Sequence, residues 1–184
     1  MKPLLRRLLA LCSLCLAVPA FAEFQAGTAK IDITPRAWPV LVNGGMTSRS
    51  AESATKPIHA RAIVLSDGAT KLAIVVADSC MMPRPLLDKA KALASERTGI
   101  APDHMLIAAT HTHTAPSSFG CLGTRQDLKY SAQLIEQLAE AITEAASQLQ
   151  PAQVGWASTD AAEYTALRRW VLRPDRVRED PFGN

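Results

Sequence analysis

A chain of 184 residues, 48% of them hydrophobic, is long enough for one domain with a real core. Its formal charge of +3 is carried by Lys2, Arg6 and Arg7, all within the first seven residues. The remainder is neutral and offers no grounds for nucleic-acid binding or adhesion to an anionic surface.

Those first residues have their own reading. A basic start is followed by an apolar stretch from Leu8 to Val18, too short to span a bilayer. Ala20-Phe21-Ala22 then forms a small-x-small cleavage site. Residues 1–22 read as a secretory signal peptide cut near Ala22, which places residues 23–184 in a secreted or periplasmic compartment. No transmembrane span follows. Cys12 and Cys15 leave with the leader. Cys80 and Cys121 stay, either as a disulfide or as two buried thiols.

Residues 24–33 predict a strand that stops at Thr34-Pro35. Residues 36–57 are rich in Pro, Gly, Ser and Thr around Asn43-Gly44-Gly45 and predict a long loop. Loops of that length often line or cover a site. Strands at Ile58–Leu65 and Lys71–Ala77 flank the turn Ser66-Asp67-Gly68 and predict an antiparallel hairpin. The unbroken apolar run Leu72–Ala77 predicts burial on both faces.

Pro83 and Pro85 suit a helix start, Leu86, Leu87, Ala90, Leu93 and Ala94 recur at helical spacing, and Gly99 supplies the stop. His104–Ala109 is a short buried strand. Strand, helix and strand make a right-handed βαβ unit with parallel strands. After a loop at 114–125, Thr124-Arg125-Gln126-Asp127 resembles a capping box before an amphipathic helix reaching about Leu149. Gln153–Ser158 predicts one more strand. The fold class is α/β: a mixed sheet with an antiparallel hairpin and a βαβ unit, helices packed on it.

Chemistry concentrates at Thr110-His111-Thr112-His113-Thr114, where the last βαβ strand runs out into a loop. Histidines two apart in extended backbone face the same way and can converge on one ion. Asp78 ends the neighbouring parallel strand, and ligands bind at that edge of open α/β sheets. Asp78 either ligates directly or accepts a hydrogen bond from a histidine ring or a nearby backbone group. His59 and His104, each at a strand start, are expected on the opposite edge. Other His-x-His architectures do not fit: the His-x-His-x-Asp-His of metallo-β-lactamases is absent, and an amidohydrolase barrel needs a longer chain. There is no His-Glu-x-x-His, no Gly-x-Ser-x-Gly and no phosphate loop. Cys121 has no activating partner in the sequence.

The order Asp32-Ile33-Thr34-Pro35, Asn43-Gly44-Gly45-Met46, Ala60–Leu65, Val75-Val76-Ala77-Asp78 and Ala109–Pro116 resembles the N-terminal part of the neutral (non-lysosomal) ceramidase family. The resemblance spans about Gly27 to Arg169. It implies a secreted or membrane-associated zinc (Zn2+) amidase cleaving the N-acyl bond of a lipid amide, with peripheral contact to membrane lipid. It implies that His111 is a zinc ligand and His113 a pocket histidine beside the metal. Arg168 falls where the family has an active-site arginine, although Leu167 stands in place of the preceding Asn. Thr114-Ala115-Pro116-Ser117-Ser118 also departs from the family's Ser-Gly-Pro-Gly-Gly, which puts the substrate in question.

The family's enzymes are much longer. Their remaining histidine, glutamate and tyrosine ligands lie beyond the equivalent of Asn184. The resemblance therefore implies that residues 23–184 are the N-terminal portion of a zinc-hydrolase catalytic domain. Two other readings stand beside it. One is a non-catalytic exported binding domain using the Thr/His loop; the other is a metal hydrolase of the same fold acting on a non-lipid amide or ester.

Overall fold

The structure, a computed structural model, describes residues 23–166, 171–176 and 179. The leader assigned to residues 1–22 lies outside the described residues. Five strands form the main sheet: β1 (Gln25–Asp32), β4 (His59–Ser66), β5 (Lys71–Ala77), β6 (Met105–Ala109) and β7 (Gln150–Pro151). Their order is β6-β5-β4-β1-β7, with β5 and β6 parallel and the other pairs antiparallel. Two further strands, β2 (Val40–Val42) and β3 (Arg49–Ala51), pair as a small hairpin inside the stretch expected to be loop.

Local chemistry explains the punctuation. Between β4 and β5 the carboxylate of Asp67 accepts from Ala69 N–H and Thr70 N–H, and Gly68 takes φ 88°. Helix α1 (Arg84–Thr98) begins with proline in its first turn and ends at Gly99, φ 71°, whose N–H donates to Ser95 O. Helix α2 (Leu128–Ser147) starts at Asp127, whose side chain accepts from Tyr130 N–H. The cap is thus Asp127 itself, three residues later than a capping box opened by Thr124 would have it.

Both helices lie on one face of the sheet. Ala60, Ala62 and Val64 of β4, Ala73, Val75 and Ala77 of β5, and Met105 and Ile107 of β6 meet Leu86, Ala90 and Ala94 of α1 and Leu134, Leu138 and Ile142 of α2. Each fully buried Leu or Ile contributes about 1.5–3 kcal/mol. Where α2 ends over β1, Gly27 leaves no room for a side chain: a Cβ there would overlap Ala145 O and lie 2.8 Å from Gln148 C.

Three further expectations are corrected. β5 and β6 are buried on one face only, with Leu72, Ile74, Val76 and Leu106 exposed. Residues 153–158 form no strand, and the short β7 precedes them. His59 does not sit across the sheet from His111. β4 runs antiparallel to β5, so its start lies at the end of β5, and Asp78 N–H donates to His59 O. His104, before the start of β6, is at the far edge as expected.

Candidate metal centre

β5 and β6 finish side by side, and their pairing continues past both strands. Thr110 N–H donates to Ala77 O at 3.0 Å and His111 N–H to Ser79 O at 2.9 Å. This carries the chain around at His111, which takes φ 63°. That left-handed conformation is costly for a residue with a Cβ and persists only where the surroundings enforce it. Here the ring takes part, because Nδ1 lies 2.8 Å from the carbonyl oxygen of Cys80. A carbonyl only accepts, so Nδ1 carries a proton, and in the neutral ring Nε2 is the nitrogen that presents a lone pair.

His113 Nε2 lies 3.4 Å from His111 Nε2, and the two rings meet edge to face at 82° with centroids 4.9 Å apart. Two nitrogens held at zinc's usual bond length on one tetrahedral ion are separated by about 3.3 Å. The donor set therefore fits a single ion facing both imidazoles, either as a ligand pair or as one ligand beside an imidazole that holds water or substrate. Both rings are exposed, leaving the point accessible.

Cys80 is the third member of the cluster, with all three donor atoms within 4.8 Å of one another. Its buried Sγ is 3.9 Å from His111 Nδ1. The thiolate is the form that binds metal, and burial, then the charge of Cys121, pushes the Cys80 thiol up. Its carbonyl, which orients His111, is the stronger contribution. Cys80 and Cys121 are both free thiols, so the disulfide alternative is not what the structure holds.

Asp78 sits at the same edge but serves β4. Its carboxylate accepts from His59 N–H at 2.9 Å and pairs with Arg61 at 3.1 Å. Of the two hydrogen-bonding alternatives, the backbone one holds; the partner of the His111 ring is the Cys80 carbonyl. Arg168 lies outside the described residues. A guanidinium that the sequence did not mark reaches the site instead, with Arg49 of β3 donating to His113 O. Beside the loop after His113 opens a cleft of about 280 Å³, lined by Trp38, Val40, Val42, Ile58, Thr114 and Pro116, with Lys56 at its wall.

Two ceramidase structures are among the solved structures that share this fold. A neutral ceramidase from Pseudomonas aeruginosa matches with TM-score 0.62 and 24% identity, covering 71% of this chain and 22% of that one. A ceramidase complexed with C2 matches with TM-score 0.61 and 26% identity over the same shares. The structural neighbours are thus neutral ceramidases, and the chain corresponds to a part of their length. No protein-family model matches the sequence, and no curated protein does.

Proposed function

We propose that the chain is the N-terminal portion of an exported zinc-dependent hydrolase acting on an N-acyl amide bond. The observation that carries this reading is the convergence of His111 Nε2 and His113 Nε2 at 3.4 Å on the sheet edge where β5 and β6 end. The likeness to neutral ceramidases and the apolar cleft beside the pair support it.

In this reading His111 would hold zinc through Nε2, its ring oriented by the Cys80 carbonyl at Nδ1. A bound zinc ion supplies Lewis acidity toward an amide carbonyl and toward water. His113 turns its Nε2 to the same point and orients water or the amide. Asp78 supports the edge from behind by tying β4 to it. The cleft takes the apolar arm of a small-molecule or lipid amide, and Arg168, after Leu167, is assigned to the substrate side. Contact with membrane lipid is proposed to be peripheral. Among the described residues, no helix is long and apolar enough to cross a membrane. Residues 1–22 serve as the export signal, leaving the protein secreted or periplasmic.

The test is hydrolysis of a panel of N-acyl substrates, from ceramide to short N-acyl amines, by the polypeptide carrying any downstream residues. Zinc-dependent turnover abolished by His111→Ala is expected. Turnover that persists in a chelator, or in that variant, would overturn the reading.

A further inference from the structure

The imidazole of His113 is exposed, and its ring has one hydrogen-bonding neighbour among the described residues, His111 Nε2. An exposed side chain on a loop ordinarily samples several rotamers unless a neighbouring segment packs against it. The stretch around Asn43 does so from the other side. Gly44 passes so close that a Cβ built on it would overlap the ring at Cγ and lie 2.5 Å from His113 Cβ and 2.7 Å from His113 Cα. Gly44 also takes φ 98°, a conformation that suits glycine.

This approach is braced. Asn43 is 1% exposed. Its Nδ2 donates to Phe119 O at 2.5 Å, and its Oδ1 accepts from Gly44 N–H at 2.6 Å. Its own N–H donates to Ala115 O at 3.2 Å, and Val42 bridges to Pro116. The segment that follows His113 is thereby stitched to the segment that carries Gly44. Arg49 closes the arrangement by donating to the carbonyl of His113 itself.

We propose that Asn43 and Gly44 form a positioning clamp for His113: the bare backbone of Gly44 makes the slot, and the Asn43 amide keeps it in place. The clamp's place in catalysis rests on the function proposed above, but its geometry does not. Any side chain at position 44 drives the His113 ring away from His111 and separates the two Nε2 atoms.

The experiment is a double-mutant cycle of Gly44→Ala and His113→Ala, read by thermal unfolding, together with the inter-ring nuclear Overhauser effect between His111 and His113 in the metal-free chain. The fall in Tm caused by Gly44→Ala should be smaller, though not abolished, when His113 is already alanine: the overlap at Cγ goes, while alanine keeps the Cβ and Cα that stand 2.5 Å and 2.7 Å from the added Cβ. The Overhauser contact should be present in the wild type and in Gly45→Ala, where a Cβ comes no nearer than 3.3 Å to Thr47 O, and lost in Gly44→Ala. Zinc binding by Gly44→Ala should weaken roughly tenfold or more.

If Gly44→Ala does not fold but the double variant does, the clamp stands; if neither folds, Gly44 serves the backbone alone and the proposal falls. An equal fall in Tm in both backgrounds, or an Overhauser contact that survives Gly44→Ala, also overturns it. A wild type that shows the contact but binds no zinc would remove the proposed function and leave the clamp intact.

Discussion

The two faces of the main sheet end in different surroundings: on β1 and β4 the open face carries Thr28, Lys30, Asp32 and Arg61, and on β5 and β6 both faces are mainly apolar. On the helix side the sheet presents mostly small side chains, Ala60, Ala62, Ala73 and Ala77 with Val64 and Val75, and the helices approach closely enough to bury them. On the other side Leu72, Ile74, Val76 and Leu106 stand 36–59% exposed. Apolar content alone does not say which face is covered. What distinguishes the covered face is the match between small strand residues and the Leu134, Leu138 and Ile142 ridge of α2. The ceramidase structures that share the fold are several times longer than the part matched.

The comparison can be broken at its strong side first. Leu134→Ala removes a side chain that is 0% exposed and should cost about 2–5 kcal/mol in denaturant unfolding. A loss below that range would mean α2 does not anchor the sheet. Leu106→Lys on the open face should change stability by only about 0.5 kcal/mol or less and should raise solubility. A larger loss, or a change of oligomeric state in sedimentation, would show that this face is covered in solution.

The sheet comparison also explains what could be read in advance. The hairpin, the βαβ unit and both helices were legible because the Ser66-Asp67-Gly68 turn, the prolines and glycine that bound α1, and the helical spacing of apolar residues in both helices point the same way. The burial of β5 was not, because Leu72–Ala77 is apolar at every position and alternates only in size. β2 and β3 are three residues each, too short for a period to show. His59 was placed on the wrong edge because its strand was considered alone; pairing with β5 brings its start to the end of that strand.

At the site, His111 and His113 are visible as a motif because they are two residues apart in one strand exit. The groups that orient them are not visible. The Cys80 carbonyl is 31 residues from His111 and is a backbone atom, which no residue type announces. Gly44 and Arg49 act from a stretch whose composition reads only as loop. A close backbone approach leaves one sequence trace, a glycine, and Asn43-Gly44-Gly45 offers several explanations for it.

The most direct test of the metal assignment is equilibrium dialysis of the metal-free chain against zinc, with His111→Ala measured alongside. The account predicts that the wild type takes up a single zinc ion, weakly, and that the variant takes up none while retaining its fold. Zinc uptake that is absent from the wild type, or equal in the two, would contradict it.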